Sequence, residues 1–332
     1  MKLPRGARSV KLASTRISAT SNVARMATPD HPVPPAAFAG RAVIVTADDF
    51  GFSREVNAGI IRAHREGILT ATSLMVAGTA RDEAAALARE HPRLDVGLHL
   101  VVCRGRSVLA PDRLASIVDA AGNFPESPVA AGMRYFFNRA LRTRLRDEIR
   151  AQIELHLKLI GRLDHIDGHL NFHVHPVIAD LLIGLCAEYH VPCMRLPREP
   201  VATTLALAGD HAVRKLVESV IFRELSRRAR RQLVERGIRS TDSLFGLYQS
   251  GHLSEQYVLG VVARLPPGLT ELYFHPAADI GGTPPTLEAQ SEVAILTSLR
   301  VRAALADRNV RLTSFAEIAR AERDAAASTP LR

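Results

Sequence analysis

The stretch that decides the fold is VIVTADDFG, Val43 to Gly51. Its apolar run, Val43 to Val45, reads as a buried strand that ends on two adjacent carboxylates, Asp48 and Asp49. A glycine turn follows at Gly51, then a helix with Ser53 near its N-cap. Two acids at the end of a buried strand are costly to place there unless they bind or react with something. In α/β folds that strand end is where active sites collect. Read by itself, the segment is equally compatible with a solvated Asp-Asp turn.

Working outward, strand-like and helix-like segments alternate. The pattern predicts strands at 42–47, 71–76, 95–101, 164–168, 192–196, 269–275 and 311–313. It predicts helices at 54–66, 80–91, 141–161, 176–189, 212–236, 255–265 and 287–307. Strands separated by helices imply a parallel sheet, and this many repeats predict a (β/α) TIM-like barrel in a single domain, 41–320. The segment 103–138, with its Gly, Pro and Asn, reads as a long irregular insertion of the kind that shapes a substrate site. Residues 1–40, rich in Ser, Ala, Arg and Pro, are expected to form a disordered basic leader, and 321–332 a disordered tail.

The chain has 332 residues, 47% of them hydrophobic, with no Trp and only 5% aromatics, so the core must be mostly aliphatic. No apolar run is long enough to cross a membrane, and no apolar segment of signal-peptide character precedes the barrel. A cytoplasmic protein is expected. Its three cysteines, Cys103, Cys186 and Cys193, form no CxxC pair and read as reduced, buried thiols rather than zinc ligands. The formal charge is +9. It concentrates in the first 25 residues and again between Arg214 and Arg239, which suits an anionic partner of some kind. No nucleic-acid motif accompanies it, and nucleic-acid binding is not expected.

Three further segments share the character of the first. DVGLHL, 95–100, places His99 near a strand end. DHIDGHLNFHVHP, 164–176, packs His165, His169, His173 and His175 into eleven positions, four of the chain's 13 histidines. ELYFHPAAD, 271–279, delivers His275 to a strand end, where Pro276 stops the pairing. The i, i+4 spacing of His165, His169 and His173 invites comparison with the HExxH helix of zinc proteases, but Ile166 and Leu170 stand where the glutamate is needed. Together the four segments put ionisable groups at the C-terminal ends of separate strands, which lie on one face of a parallel barrel. One carboxylate with two neutral imidazoles suits Zn²⁺ or a similar divalent ion and leaves positions open for water and substrate. A second carboxylate can then accept a proton from water.

These motifs resemble the YdjC-like carbohydrate deacetylases. The resemblance is carried by TADDFGFS (46–53), VNAGIIRAHREGILTATSLMV (56–76), GLHL (97–100), HIDGHLNFHVHP (165–176) and YFHP (273–276), and it spans roughly 41–315. Through SLFGLYQSGHLSEQYVLGVVARLPPGLTELYFHPA, 243–277, the chain is most similar to the branch associated with hopanoid biosynthesis. The resemblance implies a distorted (β/α) barrel and metal-dependent removal of N-acetyl groups from sugars. It implies one divalent ion, Zn²⁺ or Mg²⁺, on Asp49, His99 and His169, with Asp48 as general base and His275 as general acid. Asn171 and His173 are expected to line the substrate pocket. Asn171 and Gly168 depart from the family's DSHxHxH pattern. The implied substrate is an N-acetylglucosaminyl hopanoid, or a chito-oligosaccharide.

A lipid-borne substrate gives the basic stretch 212–239 a reading as a peripheral contact with the inner membrane, beside its reading as an ordinary charged surface helix. Two other functions stay open from sequence: a metal-dependent phosphoesterase on the same barrel, and a non-catalytic protein that binds lipid or sugar at a membrane. Oligomeric state stays open between monomer and homodimer.

Overall fold

The opening stretch forms a ten-residue strand, β1 (Arg41–Phe50), at the centre of a parallel sheet in a computed structural model. The structure describes residues 40–281 and 284–327. The other strands are β2 (Ala71–Leu74), β3 (Asp95–Leu100), β4 (His165–Gly168), β5 (Cys193–Met194), β6 (Ser243–Phe245), β7 (Gly268–Phe274) and β8 (Val310–Thr313). Their order is β5-β4-β3-β2-β1-β7-β6, with β8 also on β1. Every pairing is parallel. The first half of β1 pairs with β8, from Arg41 against Val310 to Ile44 against Thr313, and the second half with β2. The sheet curls, and its edges meet through short links. Arg239 bridges Cys193, and Leu244 N–H donates to Arg198 O at 3.2 Å. This is the expected distorted (β/α) barrel, incompletely closed between β5 and β6.

Eleven helices follow among the described residues: α1 (Arg54–Glu66), α2 (Arg81–Glu90), α3 (Pro128–Phe137), α4 (Arg142–Ile160), α5 (Pro176–Glu188), α6 (Val201–Leu207), α7 (Ala212–Glu235), α8 (Glu255–Ala263), α9 (Leu287–Leu296), α10 (Leu299–Asp307) and α11 (Phe315–Ala327). Ser53 caps α1 by accepting from Val56 N–H at 3.3 Å, a contact that contributes about 1 kcal/mol in typical helices. The single helix expected at 287–307 is two helices. Ser298 Oγ accepts from Arg300 and Val301 N–H and starts a new helix there.

Several expectations change. The strand β6 was not legible, nor were α6 and α11. Residues 321–327 of the expected tail belong to α11; 328–332, and all of the expected leader except Gly40, lie outside the described residues. The insertion 103–138 is not irregular throughout, because it contains α3. Two buried residues of α4 hold it and the chain that enters it: Glu148 accepts from Val108 and Leu109 N–H at 2.8 and 2.9 Å, and Gln152 bonds both backbone groups of Val101, just before the insertion. The core is aliphatic as expected, and the three cysteines are buried thiols. Among the described residues no helix is long and apolar enough to cross a membrane.

Candidate metal centre and active site

In a regular strand, neighbouring side chains point to opposite faces, so Asp48 and Asp49 should not reach the same place. The register of β1 against β2 shifts between Ala47 and Phe50, and Asp49 takes a positive φ of 67°. That irregularity breaks the alternation and turns both carboxylates into the C-terminal mouth of the barrel. Asp tolerates this region better than most side chains. Gly51 completes the turn with φ +86°, where a Cβ would lie 2.9 Å from Leu74 Cδ1. Its N–H donates to Asn57 Oδ1 at 2.8 Å, which ties the turn to α1.

Asp49, His99 and His169 come together there. Asp49 Oδ1 lies 3.2 Å from His99 Nε2 and 3.2 Å from His169 Nδ1. One ligand atom from each lies within 4.8 Å of the others. His99 ends β3, whose register sets it against Asp167 of β4. Its Nδ1 lies 2.7 Å from Asp167 Oδ1 and 3.0 Å from Ser73 Oγ. His169 follows β4 directly. Leu170 and Asn171 after it both have positive φ, near 55° and 53°, and turn the chain across the mouth.

Burial opposes charge on His99, but Asp167, Asp49 and Asp48 outweigh it and raise the imidazolium to about 10. Burial likewise opposes charge on Asp49, yet the bonds to His169 and His99 hold its carboxyl well below the usual range. The fit to a divalent ion rests on two observations. His99 Nε2 is buried and faces Asp49 Oδ1 at 3.2 Å, while Nδ1 is held by Asp167. This is the arrangement of a ligating imidazole oriented by a carboxylate behind it. Among the described residues, the carboxyl groups of Asp48, Asp49, Asp167 and Glu271 also lie in this region, and three of them, Asp48, Asp167 and Glu271, share the guanidinium of Arg195.

Sequence reasoning missed that arginine. Arg195 is fully buried; Nη1 and Nη2 donate to Asp48 at 2.6 and 2.8 Å, and Nη2 lies 2.9 Å from Asp167. Its Nε donates to Glu271 at 2.9 Å, and its guanidinium lies over the Tyr273 ring at 4.7 Å. Burial works against its charge, and the surrounding carboxylates raise its pKa far above the ordinary value. Arg195 therefore fixes Asp48 in place, yet a carboxylate has about four lone-pair directions, so Asp48 keeps acceptor capacity toward the mouth. The other missed residue is Asp167, fully buried, which orients His99. The available signal was the period of two: Asp167 in HIDGH, Arg195 in PCMRL and Glu271 in ELYFH each sit where a strand turns its side chain inward.

His275 stands across from Asp48, with Nε2 4.0 Å from Asp48 Oδ2 and its side chain 35% exposed. Asn171 is buried, and its Oδ1 has no protein partner among the described residues. His173 does not line the mouth as expected. It is fully buried and its Nε2 lies 3.1 Å from Arg195 O. Burial pushes its imidazolium down to about 4, so it stays neutral and braces the backbone of Arg195.

A family profile described as YdjC-like protein matches residues 42–307. The chain is 30% identical over 281 residues to a protein from Brevibacillus brevis named carbohydrate deacetylase, covering 83% of this chain and 99% of that one. It is 32% identical over 308 residues to a Mus musculus protein of the same name, covering 85% and 96%. A crystal structure from Enterococcus faecalis, described as a putative cellobiose-phosphate cleavage protein, superposes with a TM-score of 0.65 at 25% identity, covering 84% and 98%.

Proposed function

The chain belongs to the YdjC-like protein family, and on that footing we propose that it is a metal-dependent carbohydrate deacetylase, a hydrolase of the amide bond in an N-acetylated amino sugar. The observation that carries this reading is the convergence of Asp49, His99 and His169 beside a second carboxylate that is held separately, Asp48.

Asp49, His99 and His169 would hold one divalent ion, and two imidazoles in the donor set favour Zn²⁺ over Mg²⁺. Such an ion supplies Lewis acidity at the acetyl carbonyl. Asp167 fixes the His99 ring through Nδ1. Asp48, anchored by Arg195, takes the proton of the attacking water. His275, 4.0 Å from Asp48 and partly open to solvent, gives a proton to the departing amine nitrogen.

For the substrate we favour N-acetylglucosaminyl hopanoid, converted to glucosaminyl hopanoid, on the strength of the resemblance of 243–277 to the hopanoid-associated branch. A chito-oligosaccharide is the soluble alternative. With a lipid-borne sugar as substrate, we infer a cytoplasmic protein held against the inner membrane, with 212–239 as its contact. The test is to incubate metal-loaded protein with both substrates and follow the loss of one acetyl group by mass spectrometry. Phosphate release from a phosphorylated disaccharide is measured in parallel, because a metal-dependent phosphoesterase is the alternative hydrolase on the same barrel. Acetyl loss without phosphate release supports the reading; phosphate release alone contradicts it.

A further inference from the structure

An amphipathic helix in a folded protein ordinarily turns its apolar stripe inward. The first half of α7 does the reverse. Val213, Leu216, Val217, Val220 and Ile221 recur at i, i+3, i+4, i+7 and i+8, and all are exposed, Val213 by 77% and Val220 by 68%. The inward positions of that half are taken by Lys215, bonded to Asp210 and to Ala208 O, and by the partly buried Phe222. Only the second half packs conventionally, through Ser226, Ala229 and Leu233.

A second helix has the same character. In α3, Val129, Met133, Phe136 and Phe137 form a stripe at i, i+4, i+7 and i+8. Val129 is 76% exposed and Phe137 70%, while Ala131 and Tyr135 turn inward. The two phenyl rings lie edge to face at 5.1 Å.

Both stripes lie at the catalytic end. α3 belongs to the loop that leaves the C-terminal end of β3, and Gly132 O lies 3.1 Å from His175 Nε2, at the end of the turn that starts with His169. For α7 the level follows from its neighbours. Arg228 and Gln232 both bond Asp180, in the second turn of α5. The residues of α7 before about 225 therefore have no counterpart in α5. At 1.5 Å per residue they extend roughly 20 Å past its N-terminus, toward the strand ends that carry the site. Asp210, just before α7, is held there by Gln249 from the loop after β6.

The charge around the stripes selects the occupant. From 128 to 146 there are Arg134, Arg139, Arg142, Arg144 and Arg146 with no acidic residue. Exposed Arg214, Arg223 and Arg227 flank the stripe of α7, against Glu218 and Glu224. A second copy of the chain docked face to face would press this basic rim against itself. An anionic lipid surface accepts both the apolar side chains and the arginines.

We propose that α3 and the first half of α7 dock the mouth of the barrel on an anionic membrane. This rests on the lipid-borne substrate proposed above and narrows its contact from 212–239 to 213–221 together with 129–137.

The test is sedimentation of the full chain with vesicles of phosphatidylcholine alone and of phosphatidylcholine with phosphatidylglycerol. Wild type should bind the anionic vesicles, and less at high salt. The variant Phe137→Glu/Val217→Glu/Val220→Glu should bind at least about tenfold more weakly and deacetylate a soluble chito-oligosaccharide at the wild-type rate. No binding of wild type to anionic vesicles, or equal binding by the variant, overturns the proposal. So does a wild-type dimer in solution that the variant abolishes, since the face would then be covered by a second copy. Turnover of detergent-solubilised glycolipid without vesicle binding refutes the docking face and leaves the deacetylase reading standing. Vesicle binding without acetyl loss from any amino sugar supports the docking face and refutes the deacetylase.

Discussion

Replacing Arg195 with Met keeps most of its volume and removes the one guanidinium shared by Asp48, Asp167 and Glu271. Arg195, Asp167 and Glu271 are fully buried, and Asp48 is nearly so, so water cannot take its place without disrupting the barrel interior. Breaking a buried ion pair by removing one partner costs about 3–5 kcal/mol, because an uncompensated charge stays behind. With a urea m-value of about 2–3 kcal/mol/M, the unfolding midpoint should fall by about 1–2.5 M. The loss should also depend on pH. Burial raises the Glu271 carboxyl above its ordinary value of 4.5 even with Arg195 present, and without the guanidinium it rises further. A folded-state pKa above the unfolded one means the folded chain binds more protons between the two, so stability falls as pH rises through that window. The deficit of Arg195→Met should therefore be smaller at pH 5 than at pH 8, and Arg195→Met/Glu271→Gln should recover part of it. An unchanged urea midpoint, or a deficit larger at pH 5, would refute the assignment of Arg195 as the cation that holds these carboxylates.

Two further outcomes follow from the structure. Asp167→Asn keeps a side chain beside His99 Nδ1 but loses the charge that orients it, and should weaken divalent-ion binding by about 10- to 100-fold; titration calorimetry on the chelated protein checks this, and unchanged affinity would remove Asp167 from the site. At the opposite end of the barrel, burial raises buried Asp95 from 3.8 to about 7, although Ala316 N–H donates to it at 2.8 Å. Its contribution is complete below the unfolded pKa and is lost as pH rises through about 7, a span of at most about 4 kcal/mol. Asp95→Asn keeps the acceptor and carries no charge, so its stability relative to wild type should increase from pH 5 to pH 8. A difference that stays flat in urea unfolding would show that Asp95 does not hold its proton in the fold.

Most strands were legible because aliphatic runs bounded by helices leave few alternatives. β6 was not, since Ser243–Phe245 is only three residues long and follows a polar loop. α3 was hidden by the glycines and prolines around it, and by an apolar stripe that faces solvent instead of the core. Within 212–239, read from sequence as one basic stretch, the first half is apolar outward while the second half packs inward. At the site, residues that end strands were readable one motif at a time. Asp167 and Arg195 were not, because their importance lies in register between strands: Asp167 matters through its position against His99, and Arg195 through three carboxylates from three other strands. His173 was misplaced for the opposite reason, since a dense histidine cluster does not say which rings face the mouth and which brace the wall.

The central claim is the division of labour within the pair that opened the sequence: Asp49 as a metal ligand and Asp48 as the proton acceptor. The most direct measurement is bound metal per chain together with acetate release, for Asp48→Asn and Asp49→Asn side by side. Asp48→Asn should hold one divalent ion and release no acetate, and Asp49→Asn should lose both the ion and the activity. Wild-type acetate release from Asp48→Asn, or full metal occupancy in Asp49→Asn, would contradict the division.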